Sequence, residues 1–150
     1  MRELEEAQAA ARSLGISLQP YDVTRLRNLE RAFAQIESDR PGAMVTFFDY
    51  RTLAYRNMIA EFAAKQHLPT IFASRPFVDA GGLMSYGPDA EESFRSVARY
   101  VDRILRGAKP SELPVEQPTR FELVVNLRVA TNLGITIPPS VLVRTDRLIE

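Results

Sequence analysis

The chain has 150 residues, of which 45% are hydrophobic and 25% charged, and its 19 basic residues balance its 19 acidic ones. This length fits one domain with its own hydrophobic core, which excludes a disordered, collagen-like or coiled-coil chain. The balanced charge provides no field of one sign that favours a nucleic acid or an anionic membrane. The absence of cysteine excludes disulfides and thiolate metal sites, and a single histidine, His67, leaves little room for a metal site or a catalytic triad.

Membrane and export segments are not expected in this sequence. No apolar run reaches the roughly 18 residues that a membrane span needs. The charged start, residues 1–6, lacks the apolar stretch of a signal peptide. We therefore expect no export signal in the chain as written.

Helices alternate with strands in the first half of the chain. Apolar residues at helical spacing predict helices over about 2–14, from a cap at Thr24 to about 39, and over about 51–66. Alternation predicts a strand at 16–21, in which Pro20 suits an edge or a strand end. A nearly continuous apolar run at 43–48 predicts a strand covered on both faces, and 69–74 predicts another short strand.

The second half continues with fewer, clearly bounded elements. Gly81 and Gly82 break the chain before a short strand at 83–86. The clearest helix is predicted at about 89–106, and a proline-containing linker follows at 108–119. The remaining predictions are a strand at 121–125, a short helix capped by Asn126, and a final helical turn that begins at 138–140.

This order of elements predicts an α/β fold, in which a mostly parallel sheet has helices on both faces. In open sheets of this class, ligands bind beyond the carboxyl ends of the strands. Polar and aromatic residues at those strand ends are therefore the candidate binding residues.

Each candidate has a functional and a structural interpretation. Asp49 follows the strand at 43–48 and is either a ligand for an amine or hydroxyl, or a helix cap, or both. Ser74 and Arg75 follow the next strand, where the guanidinium either holds a ligand carboxylate or is a solvated loop group. Tyr86 either stacks on a ligand or packs in the core.

Other motifs favour structural interpretations. Gly81 and Gly82 do not match a dinucleotide-binding or P-loop spacing and predict a tight turn. His67 at a helix end predicts a capping or surface role. The arginines of 89–106 predict a solvated helix face. No set of nucleophile, base and orienting residue emerges, so no catalysis and no cofactor or metal is expected.

Five stretches carry a resemblance to a known family. They are GGLMSYGPD at 81–89, RILRGAKP at 103–110, LPVEQPT at 113–119, FELVVNL at 121–127 and LGITIPPS at 133–140. Together these stretches resemble the C-terminal half of the substrate-binding proteins of ABC importers, whose relatives include tryptophan- and tyrosine-binding members. The residues before 81 agree in element order and more loosely in sequence.

The resemblance implies a lobe similar to type I periplasmic binding proteins, with a three-layer, mostly parallel, doubly wound sheet. In such proteins two lobes trap a small ligand between them, and closure of the lobes signals to a membrane permease. It places Asp49, Ser74, Arg75 and Tyr86 at cleft-facing strand ends. It implies a periplasmic or extracytoplasmic location, although a chain without a signal peptide is cytoplasmic if expressed as written.

The resemblance also implies a division of the chain. Residues 1–88 form the α/β core of the C-terminal lobe, 89–107 a helix that packs on the other lobe, and 108–150 the linker, last strand and terminal helices. Relative to the family, the N-terminal lobe and the first strand of the C-terminal lobe are missing. That gap predicts an exposed sheet edge and a homodimer through the uncovered surface.

Two functions therefore remain as expectations. The first is a solute-binding component of an ABC importer that binds a small metabolite such as an amino acid. The alternative is a stand-alone α/β oligomerisation or regulatory module that has lost ligand binding.

Overall fold

The sheet and helices are defined by a computed structural model, which describes residues 2–23 and 25–150. The predicted cap Thr24 lies outside the described residues. The long helices are α1 (Arg2–Ser13), α2 (Leu26–Asp39), α4 (Arg56–Lys65) and α6 (Ala90–Leu105). The short ones are α3 (Tyr50–Ala54), α5 (Pro76–Asp79), α7 (Leu127–Asn132) and α8 (Pro139–Leu142), with a 3-10 turn at Pro110–Glu112.

The strands form one sheet in the same order as in the sequence. They are β1 (Met44–Thr46), β2 (Thr70–Phe72), β3 (Met84–Pro88), β4 (Phe121–Asn126) and β5 (Arg147–Ile149). β1 pairs with β2, β2 with β3, and β4 with β5 in parallel, whereas β3 and β4 are antiparallel. The predicted α/β fold with a mostly parallel sheet and flanking helices is confirmed.

The core on the β1–β2 side is built from aromatic rings and aliphatic side chains. Phe72 of β2 stacks on Phe77 of α5 with ring centroids 4.7 Å apart. Phe33 of α2 stacks on Phe62 of α4 at 4.0 Å. Both clusters contain residues of α2 and α4 and contact Met44 of β1. Met44 therefore connects these two helices to the sheet.

A second cluster fixes the other end of the sheet. Leu83, Val125, Ala130 and Ile137 are buried together, and the last helices pack on them. Asn126 caps α7 as predicted, because its side-chain oxygen accepts a hydrogen bond from the Val129 N–H at 3.1 Å.

α6 stands apart from this core. None of its residues is buried, although its amino end is well capped. The Asp89 carboxylate accepts hydrogen bonds from the N–H groups of Glu91 and Glu92, at 2.9 and 3.2 Å. The prediction of a helix over 89–106 is confirmed, and its apolar stripe remains exposed to solvent (Phe94, Val97, Val101, Ile104 and Leu105).

Three predictions for the first half are wrong. Residues 16–21 form no strand, because an alternating pattern becomes a strand only beside a partner and none of the described strands pairs with them. β1 is not covered on both faces, because the side chain of Val45 is 52% exposed; the strand also lies at an edge of the sheet. The helix predicted over 51–66 is broken at Tyr55, whose φ of −96° and ψ of 11° end α3 and start α4.

Smaller features complete the comparison. The strands predicted at 69–74, 83–86 and 121–125 are confirmed as β2, β3 and β4, with shifted ends. β5 was not predicted, because its three residues, one of them charged, are too few to show the alternation of apolar and polar residues that indicates a strand. His67 ends the turn after α4 with a φ of 51° and is exposed, as expected for a capping or surface residue. Gly81 has a φ of 103°, which fits the predicted tight turn.

Gly87 allows a close approach between β3 and the end of β2. A Cβ atom built at this position would lie 1.9 Å from the backbone oxygen of Ala73. Such an overlap involves backbone on both sides, so it cannot be relieved by rotating a side chain. The spacing of the two strands therefore requires glycine here.

We expect Gly87→Ala to lower the free energy of unfolding by about 3 kcal/mol, at the upper end of the range for overpacked interiors. Gly42→Ala is the matched control, because a Cβ there would meet nothing within 4 Å and the backbone is not in the left-handed region. The control should change stability by less than about 0.5 kcal/mol in urea denaturation. Equal midpoints for the two variants would contradict the close approach.

Candidate functional site

The carboxyl ends of β1, β2 and β3 lie at one edge of the sheet, because the three strands are parallel neighbours. Thr46 is in register with Phe72, and Phe72 with Ser85. Asp49, Ser74 and Tyr86 follow these positions by one to three residues. The structure therefore brings the predicted site residues to the same edge of the sheet.

Asp49 is held by the start of α3. Its Oδ1 accepts a hydrogen bond from the Arg51 N–H at 2.7 Å, and its backbone oxygen accepts one from the Thr52 hydroxyl at 2.8 Å. The helix-cap interpretation is confirmed. A carboxylate offers about four acceptor positions, so capping leaves others for a ligand. The side chain is exposed and can reach one.

Ser74 and Arg75 combine burial with missing hydrogen bonds. The Ser74 Oγ and the Arg75 Nε are both buried, and neither has a hydrogen-bond partner among the described residues. Leaving such a group unsatisfied costs about 1–3 kcal/mol. A partner that arrives with a ligand would remove that cost, which makes this pair the strongest candidate in the site.

The Arg75 guanidinium forms a long ion pair with a neighbouring carboxylate. Its Nε lies 3.4 Å from Asp79 Oδ2 on α5, which is an ion-pair distance rather than that of a well-formed hydrogen bond. The Arg75 side chain is 40% exposed, so its terminal nitrogens remain accessible. This geometry orients the guanidinium and leaves its planar fork free for an incoming carboxylate.

Tyr86 lies on the surface and stacks on a residue of the next strand. Its ring is 5.6 Å from that of Phe121, with 24° between the planes. The rings are 53% and 45% exposed, so the core-packing alternative for Tyr86 is wrong. The pair presents a flat apolar surface where β3 and β4 leave the sheet.

A second exposed aromatic pair lies beside Asp49. Phe48 and Tyr50 contact edge to face, with ring centroids 5.4 Å apart. The sequence pattern did not indicate Tyr50 or Phe121 as site residues. The order of residues could have pointed to Tyr50, which follows Asp49 directly, whereas Phe121 depends on the β3–β4 register, which a sequence alone does not provide.

A groove lies beyond the end of β3, where the chain continues into α6. It has a volume of about 680 Å³ and lies between α6 and residues 110–120. The Ser96 hydroxyl donates to Glu116 at 3.0 Å, and the Tyr100 hydroxyl donates to the Pro114 carbonyl. Desolvation and the nearby Glu116 carboxylate raise the pKa of Tyr100, so it remains a donor at neutral pH. These contacts tie the linker to α6.

Metal and membrane features are not found in the part of the chain that the structure describes. Within residues 2–23 and 25–150, no three His, Cys, Asp or Glu side chains gather as a metal site. Of the helices described, none combines the length and hydropathy that a bilayer span needs.

The family of the chain is identified by comparison with models of known protein families. The model of the ABC transporter substrate-binding protein family matches residues 1–149. The chain belongs to this family. Comparison with curated proteins gave no match.

Solved structures support the same fold for this family member. A conserved domain protein from Vibrio cholerae is 26% identical, with a TM-score of 0.88 over 98% of this chain and 49% of its own. An ABC domain from Streptococcus pneumoniae in complex with L-Trp is 24% identical, with a TM-score of 0.88 over 99% of this chain and 51% of its own.

A third structure is more distant. It is the ligand-free, open form of a substrate-binding protein with adhesive properties from Clostridium difficile, 16% identical, with a TM-score of 0.66 over 98% of this chain and 48% of its own. This family member thus spans about half the length of the structures that it matches.

The unsatisfied Ser74 hydroxyl gives a stability prediction. Ser74→Ala should leave the free energy of unfolding unchanged or raise it by up to about 1 kcal/mol, because it removes a buried polar group that makes no hydrogen bond. Chemical denaturation measures the difference.

The matched control is Thr70→Val, since the buried Thr70 Oγ1 accepts a hydrogen bond from the Leu83 N–H at 3.2 Å. It should lower stability by about 1–2 kcal/mol. A loss for Ser74→Ala as large as that for the control would mean that Ser74 Oγ is satisfied within the folded chain.

Proposed function

We propose that the chain forms one wall of the binding cleft in the solute-binding component of an ABC importer, and that it binds an amino acid without catalysis. The observation that carries the proposal is a pair of buried polar atoms at the carboxyl edge of the sheet, Ser74 Oγ and Arg75 Nε, neither of which makes a hydrogen bond among the described residues. Membership of a substrate-binding family supports a ligand as the missing partner.

The proposed roles follow from charge and shape. Arg75 binds the ligand carboxylate through its accessible guanidinium, and the Ser74 hydroxyl donates to the same group. Asp49 accepts from the ligand ammonium with the acceptor positions that capping leaves free. Tyr86 contacts a ring or apolar side chain and is held flat by Phe121 behind it.

The rest of the binding protein is proposed on family membership. A second lobe closes the cleft over the ligand, and the closed form docks on permease subunits of the importer outside the cytoplasm. The matched structures are about twice as long as this chain, which leaves room in each of them for such a lobe.

The first ligand to test is L-tryptophan. The Streptococcus pneumoniae structure was determined in complex with it, and the two exposed aromatic pairs at this sheet edge suit a ring. One wall of a cleft binds more weakly than two, so the measurement must detect weak binding.

We expect L-tryptophan to shift the amide NMR resonances of residues 47–50, 74–75 and 86 of the ¹⁵N-labelled chain. Arg75→Gln should weaken this binding by about tenfold or more, because a hydrogen bond to a charged group contributes about 1.5–3 kcal/mol. The same variant should leave the binding of L-tryptophanamide, which lacks the carboxylate, unchanged.

Arg95→Gln is the matched control, because Arg95 is an exposed arginine on α6 whose partners are Glu91 and Glu92. It should bind L-tryptophan like the unaltered chain. The proposed role of Arg75 fails if Arg75→Gln weakens the acid and the amide equally. The proposed function fails if no amino acid of a broad panel shifts these resonances.

A stand-alone oligomerisation or regulatory module is the second candidate. It is favoured by the unprotected β1 edge and by the exposed apolar stripe of α6. Self-association without any amino acid binding would support it over solute binding.

A further inference from the structure

Residues 89–120 form an arm that leaves the sheet after β3 and returns to it at β4. The two ends of the arm lie side by side, because β3 and β4 are antiparallel and Pro88 is in register with Phe121. None of the residues of α6 is buried, so apolar packing contributes little to keeping the arm folded. The contacts that join its two ends therefore decide how firmly it is held.

The carboxylate of Asp89 connects both ends of the arm. Its Oδ1 accepts hydrogen bonds from the N–H groups of Glu91 and Glu92, which hold the start of α6. Its Oδ2 lies 3.3 Å from Nε of Arg120, the last residue of the arm. The Asp89 N–H also donates to the Arg120 carbonyl at 3.0 Å. Because the Asp89 side chain is only 17% exposed, this ion pair is screened less than the surface pairs of α6.

The same junction borders the ring pair of the candidate site. Arg120 directly precedes Phe121, and Asp89 follows Tyr86 by three residues. Phe121 supplies one ring of the stack, and Tyr86 on β3 supplies the other. If Arg120 separates from Asp89, the start of β4 is released from the end of β3, and the Phe121 ring is released with it.

We propose that the ion pair of Asp89 and Arg120 is a latch that couples the stack of Tyr86 on Phe121 to the folded form of the arm. When the latch is closed, the two ends of the arm are joined and the rings are stacked. When it is open, the arm unfolds more often and the stack loosens. Coupling of this kind is reciprocal, so a molecule that fixes the ring stack also favours the folded arm.

Cleavage by trypsin within α6 measures how often the arm opens, because its rate follows the population of the open form. Mass spectrometry detects the cuts after Arg99 and Arg103. Arg120→Gln should raise the rate of both cuts about threefold, as the loss of a partly exposed ion pair implies. Asp89→Asn keeps a residue that caps helices well and should have the same effect. The double variant should exceed neither single one, because all three remove one interaction.

Arg147→Gln is the matched control. The Arg147 Nε lies 3.4 Å from Oε1 of Glu122, which is 19% exposed, so this pair resembles the latch but joins β5 to β4. The control should leave the cleavage of α6 unchanged.

The ring resonances of Tyr86 in NMR spectra distinguish the latch from a contact that stabilises the arm alone. Arg120→Gln and Asp89→Asn should shift these resonances in the direction given by Phe121→Leu, which removes the stacked ring. Arg147→Gln should not shift them. The latch is overturned if Arg120→Gln leaves cleavage at the unaltered rate, or if cleavage rises while the Tyr86 resonances stay fixed. Additive effects of the two single variants also overturn it.

L-tryptophan provides a further test, which rests on the proposed function. If it shifts the Tyr86 resonances, it should slow the cleavage of α6 in the unaltered chain but not in Arg120→Gln. A shift at Tyr86 without slower cleavage would overturn the latch and leave the proposed function standing. If no amino acid binds but the variants behave as expected, the latch is supported and the proposed function fails.

Discussion

The position of β2 between two parallel neighbours is the constraint on which the rest of the structure depends. Because β1 and β3 run in the same direction as β2, their carboxyl ends meet at one edge. The buried Phe72 connects this pairing to the helices through its stack on Phe77. The glycine at 87 lets β3 approach Ala73, directly before Ser74 and Arg75. The packing of the sheet and the geometry of the candidate site therefore have the same origin.

The order of helices and strands could be predicted because most elements have a local cause. α6 has an apolar stripe and an aspartate cap, and α7 directly follows Asn126, which caps it. The apolar run at 43–48 did not indicate that β1 is an edge strand, since such a run indicates burial but not which neighbour supplies it. The strand prediction for residues 16–21 was wrong for the same reason, because a strand forms only when a neighbouring strand pairs with it and a sequence pattern does not identify that neighbour.

The candidate site was partly predictable. Strand ends at a parallel sheet edge pointed to Asp49, Ser74, Arg75 and Tyr86. The structure places the first three after β1 and β2 and Tyr86 within the neighbouring β3. Which of the four residues has unsatisfied hydrogen-bonding groups could be seen only from the atoms that surround each of them in the structure. Asp49 is engaged as a cap, whereas the Ser74 hydroxyl is buried without a partner. Such a difference depends on contacts from other segments, which a sequence pattern does not record.

α6 has a thermodynamic consequence of its own. Its ion pairs, such as Arg95 with Glu91 and Arg106 with Asp102, are solvent-exposed and each contributes only about 0.3–0.5 kcal/mol. A helix of 16 residues without buried contacts is marginal in water. Its amide hydrogens should therefore exchange with solvent through local opening, long before those of the sheet do. In this fold the helix can melt and re-form while β2, β3 and β4 stay folded, so docking of a partner on α6 would be coupled to its ordering.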